Sequence, residues 1–276
     1  MSWITQRVQS DNASLCPEMA YHIYSSLLNK MRKHDSQYAE LLHTGKQRTP
    51  ISITIYADAK NAKCGIVNLC LFNQEAVDHF YTLIPDDGYF LKRLRSRLTI
   101  EEETEEQLEE QELCNRWLLP GAKIPKFFDV HFLTPTAFSK HGHSLPMPDL
   151  QLMLRSAASQ FNLLALENSR IDDTQLLEIM ERAVIVHRCN IQTIPYAFKP
   201  DTALCGFVGT MRLELKGAGA VNQLLYMLLY IAQFTGIGVR TSLGMGKIRL
   251  TSTGVRTKKN RKNKNKSKSR SEVPQN

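Results

Sequence analysis

Isoleucines 51, 53 and 55 alternate with Ser52, Thr54 and Tyr56. That period of two predicts a half-buried strand. Upstream, a strand-like start ends near Val8, and Pro17 opens a stretch in which Met19, Ile23, Ser26 or Leu27, and Lys30 or Met31 give a ragged face at helical spacing, predicting a helix to about residue 32. The polar segment 34–49 carries Gly45 and leads to Pro50. GIVNLCLF (65–72) predicts a second strand and 74–81 the start of a helix, so the first half runs β-α-β-β-α, close to a ferredoxin-like unit. Residues 91–98 and the glutamates after them are expected to continue as one helix to about Trp117, broken by Leu119-Pro120-Gly121. Past a boundary at 123–126, a strand at 127–133, a helix at 149–164, strands at 183–194 and 206–215, a helix at 221–234 and a strand at 247–251 repeat the order β-α-β-β-α-β.

Charge divides this chain unevenly. Its 276 residues carry 35 Lys and Arg against 27 Asp and Glu, a net +8. Residues 255–276 hold nine of the basic residues and one acid, Glu272, which leaves 26 of each sign before them. The tail has almost no apolar residue and is expected to be disordered. Within the neutral body, residues 101–112 hold eight glutamates and no Lys or Arg. No uninterrupted apolar run approaches the roughly 18 residues of a membrane span. The N-terminus lacks a basic start followed by an apolar stretch, so a secretory signal is not expected. The six cysteines are scattered without a C-x-x-C pair. They read as buried thiols of a soluble, cytoplasmic protein.

Eight of the fourteen glycines lie between 206 and 246, densest in TGIGVRTSLGMGKIRL (235–250). Closely spaced glycines let backbone N–H groups turn toward an anion. Arg240, Lys247 and Arg249 would add charge for phosphate. Nucleotide fingerprints fail here: Lys247 is followed by Ile248, not the Ser or Thr of a P-loop, and Thr241 stands where a dinucleotide motif starting at Gly236 needs glycine.

The segment containing Gly236, Gly238, Gly244 and Gly246 resembles the C-terminal glycine-rich loop of the CRISPR-associated repeat-processing endoribonucleases of the RAMP superfamily. FLTPTAF (132–138), LPMPDLQLMLRSAASQFN (145–162) and CGFVG (205–209) resemble further motifs of that family, in the right order. The first 130 residues match more loosely. The resemblance implies an α+β protein with two tandem ferredoxin-like (βαββαβ) domains, 1–122 and 123–254, and the disordered basic tail 255–276. It implies RNA contacts at Gly236, Gly238, Arg240, Gly244, Gly246, Lys247 and Arg249. It also implies cleavage once per CRISPR repeat of a precursor guide RNA, without metal or cofactor, by attack of the ribose 2′-OH on the adjacent phosphate. Other CRISPR effector subunits are the further partners it suggests; no membrane is expected. A catalytically silent RAMP subunit of an effector complex is the alternative, and a protein that meets a basic partner through its glutamates is a third.

Such chemistry needs groups that move protons near neutral pH and cations beside the phosphorane. His43, with Lys46 and Arg48 close behind it, lies where the family carries its site, and Tyr38 is a candidate helper. His22 and His34 are alternatives. His141 and His143 suggest a mobile loop or, less readily, a metal site; His79, His131 and His187 read as structural. Lys92, Arg93, Arg95 and Arg97 make a basic patch on the expected 91–117 helix.

Overall fold

The computed structural model describes residues 1–44, 49–165, 167–199 and 202–252. The tail therefore lies outside the described residues, as do Lys46 and Arg48. In chain order the first part contains β1 (Ser2–Ser10), α1 (Met19–His34), α2 (Ser36–His43), β2 (Ile51–Ala57), β3 (Cys64–Leu71), α3 (Gln74–Phe80), β4 (Gly88–Leu91), β5 (Ser96–Gln107) and α4 (Glu110–Trp117). The second contains β6 (Phe127–Thr136), a small hairpin of β7 (Phe138–Lys140) and β8 (His143–Leu145), α5 (Leu150–Phe161), α6 (Thr174–Arg182), β9 (Val184–Lys199), β10 (Thr202–Leu215), α7 (Gly219–Thr235) and β11 (Ile248–Ser252).

Two antiparallel sheets result, ordered β2-β3-β1-β5-β4 and β11-β6-β10-β9. Without the edge strand β4, both have the strand order of a ferredoxin-like βαββαβ unit, with the first and third strands central. Alternation sets the faces that meet the cores, although in β2 Ser52 and Thr54 are buried too, so that strand is covered on both sides and not half-buried as expected. In β6, Phe128, Val130 and Phe132 point into the second core, and in β2 Ile51, Ile53 and Ile55 point into the first. Helix α1 buries Met19, Ile23, Leu27 and Met31, the stripe expected from the sequence.

The long helix expected from 91 to 117 is absent. Residues 88–107 form a hairpin whose turn carries Lys92, Arg93 and Arg95, with Arg95 left-handed at φ 47°. Glutamates favour helix only weakly, and tertiary pairing overrides that preference. Ser96 and Leu98 point inward from β5, and its outer half pairs with β1 from Ser2 to Arg7. Polar residues of β1 receive the acids: Gln6 Nε2 donates to Glu103 at 2.6 Å, Arg7 meets Glu102 at 3.4 Å, and Ser2 bonds Glu105. The basic patch is thus a turn and an adjacent strand, not a helix face.

Two short helices, α2 and α6, were not expected. Asp35 starts α2, its carboxylate accepting the Tyr38 N–H at 2.9 Å, and Asp173 starts α6 in the same way at Gln175. The two cores interlock across the chain. Ala137, Tyr196, Leu243 and Met245 belong to the first core, while Leu113 and Trp117 of α4 bury into the second.

Candidate functional site

An open cavity of about 480 Å³ lies where α1, the end of α2, the β4–β5 turn and the glycine-rich segment meet. Helix α1 presents Tyr21, Tyr24, Ser25, Leu28, Asn29 and Arg32 to it, residues three and four apart and so on one face. His43, exposed on the last turn of α2, comes from one side. Arg93 comes from the β4–β5 turn and Arg240 from the glycine-rich segment, 147 residues further along the chain. Tyr24 is buried with its phenol bonded to Thr49, and desolvation raises its pKa.

Arg32, Arg93 and Arg240 thus converge on one hollow with an imidazole. Among the described residues none of the three forms a salt bridge. Guanidinium groups left without carboxylates in a concave site favour an anion with several oxygens, for which their planar forks are suited. Arg240 adopts the left-handed conformation, φ 60° and ψ 33°. Its carbonyl accepts from Leu243 N–H at 2.9 Å and Met245 N–H at 3.3 Å, a tight turn that leaves the side chain exposed.

The glycines serve a different purpose from the one expected. Gly236, Gly238, Gly244 and Gly246 all have positive φ, between 77° and 96°. Their amides are already engaged: Gly236 N–H donates to Ala232 O, Gly238 N–H to Ser156 Oγ, Gly244 N–H to Thr241 O and Gly246 N–H to Pro135 O. A Cβ at Gly246 would collide with the Ile237 carbonyl, at Gly238 with the Ala137 carbonyl, and at Gly244 with Pro17 and the Tyr196 hydroxyl. These glycines allow close packing and aim Arg240; their N–H groups do not face an anion.

Lys247 also departs from expectation. Only 8% exposed, its Nζ donates to the Gln233 carbonyl and lies 4.0 Å from the centre of the Trp3 ring. Desolvation pushes its pKa down to about 7, with Cys70 opposing and Arg249 adding to the shift. It is a seal between the two sheets rather than a phosphate ligand. Arg249, two residues on, is exposed on β11.

Tyr38 does not line the cavity with His43. It is buried, stacks on His79 with ring centres 3.9 Å apart, and desolvation raises its pKa strongly. His22 is half-buried near Arg93, and burial first, then that cation, lowers its pKa. His34 is exposed at the end of α1, and His141 and His143 lie on the exposed β7–β8 hairpin. Nothing in the sequence reading singled out Tyr24, Asn29 or Arg32. Their spacing on the polar edge of α1 was the available signal.

A sequence profile described as CRISPR-associated endoribonuclease Cas6 matches residues 130–248. The chain is similar to the CRISPR-associated endoribonuclease Cas6 of Mycobacterium tuberculosis, 25% identical over 231 residues that cover 83% of this chain and 70% of that one. Similarity to the protein of the same name from Streptococcus thermophilus is also 25%, over 228 residues, covering 80% and 87%. Among solved structures, a Cas6 product complex superposes with a TM-score of 0.72 at 18% identity, covering 91% of this chain and 99% of that one. Thermus thermophilus Cas6 superposes with a TM-score of 0.64 at 16% identity, covering 91% and 98%. Likeness at these identities speaks to the fold. No helix among the described residues is long and apolar enough to cross a membrane.

Proposed function

We propose that this chain, a member of the CRISPR-associated Cas6 endoribonuclease family, binds the repeats of a precursor CRISPR RNA across the cavity at His43 and cuts each repeat once. The observation that carries this reading is the convergence of Arg32, Arg93 and Arg240, free of salt bridges among the described residues, on the hollow that His43 lines. A phosphodiester backbone is the polyanion that such a hollow fits.

In the proposed reaction the ribose 2′-oxygen forms a bond to the adjacent phosphorus and the bond from phosphorus to the 5′-oxygen breaks. One proton leaves the 2′-hydroxyl and one is delivered to the departing 5′-oxygen. The products are a 2′,3′-cyclic phosphate and a 5′-hydroxyl. His43 carries one of the two proton transfers, because an imidazole exchanges protons near neutral pH. The three arginines stabilise the charge that accumulates on the phosphorane oxygens. Lys46 and Arg48, which follow His43 within five residues of sequence, are proposed to add to that field.

Replacing His43 with Ala should slow single-turnover cleavage of the repeat by about 10²–10⁴, with binding retained. Cleavage unchanged by the substitution would remove His43 from the reaction. A repeat carrying a 2′-deoxy nucleotide at the cut should bind and stay intact, even over long incubation. Cleavage of that RNA would mean that the 2′-oxygen is not the nucleophile. Persistence of cutting in excess EDTA is the expected outcome for the metal-independent route.

A further inference from the structure

Arg240 turns toward the cavity, but the two residues before it line a separate depression. Gly238 and Val239 form one wall of a hollow of about 170 Å³, closed by β7 and by α5. Phe138, Leu152 and Val239 give it an apolar lining, and Ser139, Ser159 and Arg155 a polar one. Its shape is held firmly. The Ser156 hydroxyl accepts the Gly238 N–H at 2.7 Å, and the Val239 N–H donates to the Ala137 carbonyl at 2.9 Å. Arg155 is exposed and forms no salt bridge among the described residues. It and Ser159 also border an adjoining hollow that reaches Ile171 and Asp172, so the guanidinium stands between two openings.

The volume is well below that of pockets for drug-sized ligands, about 300 Å³ and more. A single flat ring is what it accommodates. An apolar floor, two hydroxyls and an unpaired guanidinium match an unstacked nucleobase, which offers a π-face to the first and hydrogen-bonding edges or a phosphate to the others. Position narrows the ligand further. Val239 lines this depression and Arg240 the cavity at His43, and neighbouring Cα atoms are only about 3.8 Å apart. A strand held by Arg240 that crosses the loop is therefore directed toward the depression.

We infer that the depression between α5, β7 and the glycine-rich loop is a specificity subsite for one unpaired nucleotide flanking the cleaved one, held by Arg155. The inference rests on the endoribonuclease reading above.

The test is an abasic scan of the host's own CRISPR repeat RNA. Each nucleotide near the cut is replaced in turn by an abasic one, and Kd is measured for the wild-type protein, Arg155→Ala and Ser139→Trp. Ser139 is exposed, so the indole can plug the depression from its rim without entering the core. One abasic position near the cut should weaken wild-type binding roughly tenfold. Both variants should bind the intact repeat about tenfold more weakly and lose less than about twofold more on that abasic change, as expected when one contact is removed twice. Matching profiles in all three proteins, or a wild-type profile with no sensitive position near the cut, would overturn the subsite. If the wild-type protein neither binds nor cuts the repeat, the endoribonuclease reading fails and the subsite falls with it. Binding and cutting by the wild type, matched by both variants, would sink the subsite alone.

Discussion

Arg240 and Lys247 stand seven residues apart on one glycine-rich segment, and they meet opposite surroundings. Arg240 is exposed on a left-handed turn and lines the cavity with His43, Arg32 and Arg93. Lys247 is buried against Trp3, with its ammonium given to the Gln233 carbonyl. The same composition thus yields a ligand-facing cation at one end and a sealed cation at the other. What separates them is the path of the backbone, turned by glycines whose amides are spent inside the fold. Cations near glycines in a sequence identify a loop that merits attention without identifying which of them meets the ligand.

The inner end should be the more sensitive to substitution. Gly246→Ala combines φ +77° with a Cβ that has no room against the Ile237 carbonyl. A loss of about 3 kcal/mol or more is expected in chemical denaturation. An unaltered midpoint would mean that the loop repacks freely, and the contrast between its two ends would dissolve.

Lys247 offers a pH signature next. Its folded pKa of about 7 lies below the ordinary lysine value of 10.5. Between those values the unfolded chain holds a proton that the folded chain has released. Stability should therefore rise with pH across that window, by up to about 1.4 kcal/mol per pH unit from this group, and show no such contribution below pH 7, where both states are charged. Lys247→Met should remove that part of the slope. Equal slopes in the two proteins would show that Lys247 is not sealed from water.

At the outer end, Arg240→Ala should leave the unfolding midpoint alone and slow cleavage by about tenfold, as when one charge-assisted contact is lost. A fall in stability as large as that of Gly246→Ala would make Arg240 a structural residue and erase the distinction.

The two ferredoxin-like repeats were legible from a few local marks: alternation at 51–55, an apolar run at 65–72 and an apolar face, though a ragged one, at 19–31. The 88–107 hairpin was not. Its glutamates lack any local mark of a strand, and what holds them extended is β1, about a hundred residues earlier. His43 was visible as a candidate and does line the cavity. Arg32 was not, and Arg93 was visible only as part of a basic patch and not as a neighbour of His43, because the cavity joins α1 to a turn sixty residues away. Tyr38 was chemically apt, but packing was its more ordinary role, and it does pack: four residues from Leu42 on a short helix, it shares that residue's buried face. Lys247 was misjudged for a similar reason: a strand was expected at 247–251, but Trp3, whose ring covers the Lys247 ammonium, belongs to the other sheet.

Tyr196, on the β9–β10 hairpin, gives the molecule one more property. Its hydroxyl reaches the Pro17 carbonyl at 2.9 Å and the Leu243 carbonyl at 2.6 Å, joining the start of α1 to the turn that carries Arg240. Leu243 and Met245, from the same turn, are buried in the first core. The halves are consequently poor modules for exchange. A chimera that grafts the second half of a relative onto this first half transfers the arginine faithfully only if the donor's hairpin and turn fit Pro17. Inheritance of the cavity is therefore joint, and change on one wall is constrained by the other.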